Sequence, residues 1–477
     1  MRLDSRSIPY RVAENGIRLG GLVLFGVVTS ASAADPVTIG TGIALVALAL
    51  ALTFGWELAR HRRYEYELTP NTLDIRSGVL SRREREIPYE RVQKVDVAQN
   101  VVQRALSIAA VRIETAGGSG SEAHLRYVGR AKADRLQNEI SRRKRSAADE
   151  DEPERGSHLF TLSDREHLVL GVVSADLRLL GLLTVALSVF APRLARGVAP
   201  RYDLVTLFGP AVAVAAIAGF WVLSGLLQVF RYYGFTLTRR EDELRYERGL
   251  LQRYTGTIPL PKVQAVTLRE NVLARAAGYG SLVIQTAGRA ASGDGDTVES
   301  AVPIAKRGRA LALARGVEPF GCDVSLERPP GRARTRYAVR YALALLAVVA
   351  VLRAVHAATS AVSLWYLPLA GLVAVPVAAH LAWTHKGYHV DDEYVITRNG
   401  FWRRRTMVVP ADRVQTVFSS QTVFQRRRNL GTVTVDTAGG GGLGAGDAIA
   451  VDIDVDAADR LRERVAGNLQ RSLAGRT

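Results

Sequence analysis

The chain of 477 residues contains one cysteine, Cys322, so it can form no internal disulfide and no cysteine-based zinc site. Its eight histidines are scattered, without an HExxH sequence or other metal spacing. No Walker sequence occurs, and no serine sits in a nucleophile-elbow context. Catalytic, cofactor-binding and metal residues are therefore expected to be none, and the chain reads as a non-enzyme. A cleavable signal is also missing from the start, which stays polar for its first turns (Met1-Arg2-Leu3-Asp4-Ser5-Arg6). Ala31-Ser32-Ala33 has the form of a cleavage site, but a second apolar run follows it at once, which favours a hairpin that stays in a membrane.

Charge is scarce where apolar residues are dense. The net charge is +17 with 23% charged residues, and most of that charge lies outside six apolar runs. The runs come in three pairs: Leu19–Ala34 with Val37–Trp56, Leu168–Ala191 with Leu204–Phe230, and Tyr341–Val355 with Val362–Trp383. They lack the period-2 alternation of strands. Most approach the ~20 residues a helix needs to cross a bilayer, where backbone polar groups must be satisfied within the element. The expectation is six transmembrane helices in three hairpins. Excess basicity is then read against an anionic membrane surface, with no nucleic acid as partner.

A nine-residue segment occurs three times. It reads Ile87-Pro88-Tyr89-Glu90-Arg91-Val92-Gln93-Lys94-Val95, then Ile258-Pro259-Leu260-Pro261-Lys262-Val263-Gln264-Ala265-Val266, then Val409-Pro410-Ala411-Asp412-Arg413-Val414-Gln415-Thr416-Val417. A Thr-Ala-Gly begins 27 residues after each proline, at Thr115, Thr286 and Thr437, with no gap in any copy. This is an internal repeat. Ten residues before each proline stands a glycine (Gly78, Gly249, Gly400), which marks a turn needing positive φ or close backbone approach. Arginines recur six before (Arg82, Arg253, Arg404) and sixteen after (Arg104, Arg275, Arg426). Arg91, Lys262 and Arg413 share a third basic position, and Arg403, Arg405 and Arg426–Arg428 add charge to the third copy. These nine recurring residues are the candidate contacts for an anion, a lipid headgroup or a partner. The same residues read equally as braces of the fold or as solvated, positive-inside faces, and sequence alone does not separate the two.

The soluble units alternate as short strands between turns, for example Tyr64–Leu68, Leu73–Arg76, Arg82–Ile87, Val92–Val97 and Val111–Thr115. Each ends in a helical stretch: Ala131–Arg142, Ala305–Leu313 and Asp459–Val465. Arg142–His158 and Arg328–Arg336 read as polar linkers, and Ser163-Asp164-Arg165-Glu166 has the form of a capping box. The chain then divides into an N-terminal segment with hairpin 1 (1–63), domain 1 (64–143), a charged linker (144–162), hairpin 2 (163–231), domain 2 (232–317), a linker (318–335), hairpin 3 (336–386) and domain 3 (387–472). Arginines flanking the runs (Arg60, Arg62, Arg63, Arg336, Arg340, Lys386) put the termini and soluble domains in the cytoplasm, against Arg193, Arg196 and Arg201 in one outer loop.

The repeated unit resembles the bacterial pleckstrin-homology domain of the DUF304, or bPH2, class. The resemblance rests on the Ile-Pro-x-x-Arg/Lys-Val-Gln segment, the Asn100-Val101-Val102-Gln103-Arg104 segment and the closing Thr-Ala-Gly. Three units behind helix pairs are similar to the YdbT-like membrane proteins. The resemblance implies an α+β membrane protein whose soluble parts are PH-like β-barrels with a C-terminal capping helix, and it supplies no catalytic residues. The third copy departs most, with Gln421 shifting the Asn-type segment.

Two look-alike motifs carry less. Gly439–Gly444 fits GxGxxG, but a strand rather than a helix is expected after it. Asp452–Asp456 imitates a calcium loop but has Ala457 where a glycine is required. The favoured reading is a membrane-anchored binding or scaffold protein that presents its domains to lipid headgroups, a protein partner or itself. The alternative is a transporter regulated by those domains, with Asp176, Arg178, Arg353 and His356 as its few charges near the membrane.

Overall fold

The structure, a computed structural model, describes residues 3–12, 14, 48, 51–115, 123–145, 156–173, 202–287, 299–321, 324–359, 365–438 and 447–474. The first apolar pair up to residue 50 apart from Leu48, the stretch holding Asp176 and Arg178, and the Gly439–Gly444 loop lie outside these residues.

Copy one runs β1 (Glu65–Leu68), β2 (Thr72–Ser77), β3 (Arg83–Pro88), β4 (Val92–Asn100), α1 (Val101–Ala105), β5 (Ile108–Thr115), β6 (Ala123–Gly129) and α2 (Arg130–Arg145). After β7 (Ser157–Thr161), α3 (Asp164–Val173) and α4 (Tyr202–Tyr232), copy two repeats the order. Its elements are β8 (Thr236–Arg240), β9 (Glu243–Arg248), β10 (Gln252–Pro259), β11 (Val263–Asn271), α5 (Val272–Ala276), β12 (Tyr279–Thr286), β13 (Glu299–Lys306) and α6 (Arg307–Val317). Then come α7 (Arg332–Thr359), a 3₁₀ helix (Leu367–Ala374) and α8 (Val375–Thr384). Copy three follows as β14 (Gly387–Val390), β15 (Tyr394–Asn399), β16 (Arg403–Pro410), β17 (Val414–Ser420), α9 (Val423–Arg426), β18 (Leu430–Thr437), β19 (Ala448–Asp454) and α10 (Val455–Ala474). The closing helices thus fall where the sequence pattern put them, and a strand, not a helix, follows the GxGxxG glycines.

The repeated nine residues make the crossover between two sheets. In each copy the proline ends one strand, a single 3₁₀ turn follows (Tyr89–Arg91, Leu260–Lys262, Ala411–Arg413), and the next strand begins. Pro88 and Pro410 sit at φ −60° and −62°, the angle the pyrrolidine ring imposes, and a proline at a strand end gives up no ladder donor. The apolar members face inward: Ile87, Tyr89, Val92 and Val95 are all buried. The three recurrent glycines have φ of +123°, +106° and +91°, so the turn before each third strand needs left-handed backbone.

The chain divides into two compact units, Met1–His158 with Gly234–Pro259, and Leu159–Tyr233 with Leu260–Thr477. In the first, β1-β2-β3 form one antiparallel sheet and β4-β5-β6 another, and they enclose a core including Tyr66, Leu73, Val97, Ile113 and Leu125, closed by Leu136 and Ile140 of α2. The second unit contains the same arrangement for copy three, with Leu461 and Val465 of α10 over Val395, Val409, Val433 and Val435. These are sandwiches of two three-stranded sheets, not hydrogen-bonded closed barrels as expected. The reason is that the outer edge of a sheet is taken by a neighbouring copy. β4 pairs with β10 in the first unit, giving the run β6-β5-β4-β10-β9-β8, and β11 pairs with β16 in the second, giving β13-β12-β11-β16-β15-β14.

Two helical segments among the described residues are long and apolar enough to cross a membrane, Arg332–Ala358 and Leu367–Thr384. Residues 51–62 are helical and cover the end of the second expected run, and α4 covers the whole of the fourth, Leu204–Phe230. The last run departs from a plain helix: Leu367–Ala374 is 3₁₀ and only Val375–Thr384 is α. Pro368 and Pro376 stand in the first turn of each piece and supply no N–H to an unbroken ladder. In the second pair α3 and α4 meet closely at glycines, where a Cβ on Gly225 would lie 2.4 Å from the Gly171 carbonyl oxygen. The Glu166 carboxylate accepts from the Ser163 N–H and hydroxyl, both at 2.9 Å, at the expected start of α3.

A Cβ at Gly400 would fall 2.3 Å from the Arg403 carbonyl oxygen, whereas one at Gly278, φ +76°, meets nothing within 4 Å. Gly400→Ala is expected to destabilise the chain by about 2 kcal/mol or more, and Gly278→Ala by about 1 kcal/mol. Thermal unfolding midpoints of the two variants in one detergent check the order.

Candidate functional site

The recurring arginines fall into different surroundings. Arg82, at the exposed free edge of copy one, pairs only loosely with Glu84 at 3.4 Å. Its counterpart Arg253 is in the β4–β10 seam, opposite Gln99 and ion-paired to Glu247. Arg404 stands opposite Glu270 in the β11–β16 seam, with a guanidinium–carboxylate contact of 2.6 Å and side chains only 14% and 1% exposed. Arg307, the first residue of α6, reaches the same carboxylate at 3.3 Å. The sixteen-after arginine also serves this seam in copy two: Arg275 donates to the Phe401 carbonyl at 3.1 Å, and its guanidinium lies 5.3 Å from the Phe401 ring centre. Burial and the neighbouring Arg404 hold the Arg275 guanidinium below its ordinary range, with Glu270 opposing. Arg104 and Arg426 end the short helices α1 and α9, the latter exposed. Arg91, Lys262 and Arg413 sit in the 3₁₀ turns, where Arg413 pairs with Asp412 at 3.3 Å. The structure therefore brings Arg275 and Arg404 together as seam braces and gathers no single site from the nine.

The Asn-type segment is a helix cap. Asn100 and Gln103 cap reciprocally at 2.8 and 3.0 Å, and Asn271 accepts from Ala274 N–H at 2.7 Å. In copy three Thr422 takes the cap position and pairs with Gln425 in a full capping box. The expected shift at Gln421 does not occur: threonine replaces asparagine without loss of register, because either side-chain oxygen reaches the same N–H.

A different basic cluster forms beside the second seam. Residues alternate across a strand, so Arg403 and Arg405 lie on the face opposite Arg404, and Arg269 is the cross-strand partner of Arg405. Among the described residues none of these three has an acidic partner. The Nε of Arg269 is buried without a hydrogen-bond partner. Burial, then Arg405 and Arg403, push its guanidinium down to about 10. Like charges directly opposite one another destabilise a strand pair, so this arrangement costs free energy that an anion would return. The equivalent positions in the first seam are Ala98, Tyr254 and Gln252, which explains why a search for recurring residues misses the cluster. The Arg403-Arg404-Arg405 run was its visible part; Arg269 carries no sequence signal until the register is known.

A second set of contacts ties the segment leading into each apolar pair to the domain behind that pair. In copy one Arg11 donates to the Arg126 carbonyl at 2.7 Å, pairs with buried Glu57 at 3.2 Å and lies over the Tyr127 ring. In copy three Arg332 donates to the Arg428 and Asn429 carbonyls at 2.8 and 3.0 Å, while Arg336 and Lys386 both meet fully buried Asp452. Burial pushes the Lys386 amine down to about 8, with Asp452 opposing. Tyr127 and Asp452 occupy matching places on the last strand and share positive φ, +77° and +60°. In copy two, Asn271 donates to the Val173 carbonyl at the end of α3, at 2.8 Å. A cavity of about 500 Å³ in copy one, lined by Tyr66, Leu68 and Leu136 with Lys132, Arg135 and Arg142, is a further concavity under α2.

Removing Arg404 takes the nearer of two cations from an almost fully enclosed carboxylate and leaves it the more exposed Arg307. Arg404→Ala is expected to cost about 3–5 kcal/mol, Arg82→Ala under ~0.5 kcal/mol, and the double change Arg404→Leu with Glu270→Leu much less than Arg404→Ala alone. Denaturant or thermal unfolding of the three variants, each compared with the unchanged chain, measures this.

The chain matches the Bacterial PH domain family over residues 21–144, 177–319 and 339–469. It is 26% identical over 423 residues to the UPF0699 transmembrane protein YdbT of Bacillus subtilis (strain 168), covering 81% of this chain and 83% of that protein. It is 34% identical over 91 residues to the UPF0699 transmembrane protein YdbS of the same organism, covering 19% of this chain and 55% of that protein. No solved structure matches. Three matched stretches, each spanning two sheets joined at a proline crossover and closed by a helix, make this chain a member of the Bacterial PH domain family.

Proposed function

We propose that this protein is a membrane-anchored binding scaffold, without catalytic activity, whose PH-like domains face the cytoplasm and whose second seam binds anionic lipid headgroups. The observation that carries the reading is the Arg269, Arg403 and Arg405 cluster: three guanidiniums on one face, no carboxylate among them, and one half-buried with an unmet donor. Arginine forks suit phosphate oxygens. The membrane anchoring is supported by the two apolar helical segments, by the transmembrane relatives, and by the Arg11 and Asp452 contacts that hold domains against the leading segments of their helix pairs. The cytoplasmic orientation is supported by Arg60, Arg62 and Arg63 at one helix end and Arg332, Arg334, Arg336 and Arg340 at another.

The test uses the full chain in a zwitterionic detergent and a fluorescent short-chain phosphatidylglycerol, beside the phosphatidylcholine analogue, read by anisotropy across a salt series. The phosphatidylglycerol is expected to bind more tightly. Arg403→Ala with Arg405→Ala is expected to weaken it roughly 30-fold, at about 1 kcal/mol per arginine, and Arg82→Ala to leave it unchanged. Equal binding by the wild type and the double variant would overturn the reading. Arg269→Met is expected to weaken binding while stabilising the fold by about 1 kcal/mol, because it removes a buried uncompensated charge; a fall in the unfolding midpoint would contradict this.

A further inference from the structure

The two seams follow one register. In the first, Gln252 and Arg253 of β10 stand opposite Asn100 and Gln99 of β4. In the second, Arg403 and Arg404 of β16 stand opposite Asn271 and Glu270 of β11. Counted from the repeat prolines, both place the residue seven before one proline opposite the residue twelve after the preceding one. Three copies joined this way leave two strands over. Among the described residues β3 borders only β2, and β17 borders only β18.

Burial agrees with what the topology leaves open. Arg83–Glu86 of β3 are exposed, whereas the matching Gly256 and Thr257 of β10 and Met407 and Val408 of β16 are buried. Gln415, Thr416, Ser419 and Ser420 of β17 are exposed, whereas the matching Gln264, Ala265 and Leu268 of β11 are buried. Beside these edges stand exposed apolar side chains, Leu80 before β3 and Val423 and Phe424 after β17.

From this we infer that β17 of one molecule pairs antiparallel with β3 of a second copy of this chain, in the register of the internal seams. The rule puts Ser81 opposite Thr422, Arg83 opposite Ser420 and Arg85 opposite Phe418. No like charges meet in these pairs, and the first repeats the place where Asn100 and Asn271 meet their partners. An edge flanked by charge resists indiscriminate pairing, so the partner must match it in register, and this chain carries the matching strand. The contact is head-to-tail, so it propagates into rows or closes into rings in the membrane plane. Anchoring in one membrane raises the effective concentration of the two edges. The inference deepens the scaffold reading and rests on it. The crosslink below reports edge pairing and the lipid titration reports headgroup binding, so either can fail without the other.

The test is disulfide crosslinking of the full chain in membranes, in a Cys322→Ser background. Directly opposed residues in an antiparallel pair have Cβ atoms ~4.5–5.5 Å apart, which a disulfide spans with a small adjustment. The Arg83→Cys, Ser420→Cys variant is expected to give a ladder of dimers, trimers and larger species on mild oxidation. Each single-cysteine variant is expected to stay monomeric, and the two co-expressed to stop at dimers. Pairing Arg83→Cys with Ser419→Cys, one residue out of register, is expected to crosslink at least fivefold less. Monomers only in the double variant, an internally bridged monomer, or a dimer from a single-cysteine chain would each overturn the inference.

Discussion

A strand at the edge of a sheet exposes a row of backbone donors and acceptors, and an exposed row is both a cost and a template. Each repeat here has two sets of three strands, and in copies one and three the two sets are not hydrogen-bonded to each other. Each copy therefore offers the strand before its proline and the strand after it as open edges. The molecule answers by pairing the later strand of one copy with the earlier strand of the next, β4 with β10 and β11 with β16. The proline crossover makes this repeatable, because it fixes at one residue where the first sheet stops and the second starts. Side chains then specialise a junction that the backbone has already set. Tyr254 donates to buried Asp96 in the first seam, while Glu270 is clamped between Arg404 and Arg307 in the second.

This explains why recurrence was a good guide to the fold and a poor one to the site. Gly78, Gly249 and Gly400 recur because their backbone angle is required, and that requirement is local to each copy. The Asn100, Asn271 and Thr422 caps are local too, and the exchange of one capping residue for another is easily misread as a shift. Arg82, Arg253 and Arg404 recur for a reason that is not local. They stand at a position facing a preceding copy, and the first copy has none. A position can thus be repeated three times and be engaged in only two of them.

Arg269, Arg403 and Arg405 show the opposite case. Their meaning depends on the pairing of Arg269 with Arg405, 136 positions apart (405 − 269), which no short-range pattern encodes. Tyr127 and Asp452 were equally hidden. Both lie on last strands whose pairing with the strand before contains an irregularity, and both take positive φ, a conformation bulky side chains rarely adopt. The gain in each case is a contact to the segment leading into an apolar pair. The 3₁₀ stretch at Leu367–Ala374 was open to view through Pro368 and Pro376, but apolar composition alone reads as an unbroken helix.

The distribution of charge follows the same logic. Where the chain needs a junction to hold, a buried carboxylate meets its cations at short range: Glu270 with Arg404, Asp452 with Arg336 and Lys386, Glu57 with Arg11. Enclosing such pairs is no great source of stability, since desolvation offsets much of the attraction, but leaving either partner alone is costly, so the pairs act as checks on correct docking. Beside the second seam the rule is broken. Among the described residues, three arginines share a face with no carboxylate, and none offsets the desolvation of Arg269. A stabilising substitution at such a place is easy to find, and the proposed anionic ligand would offset the same charge from outside the fold.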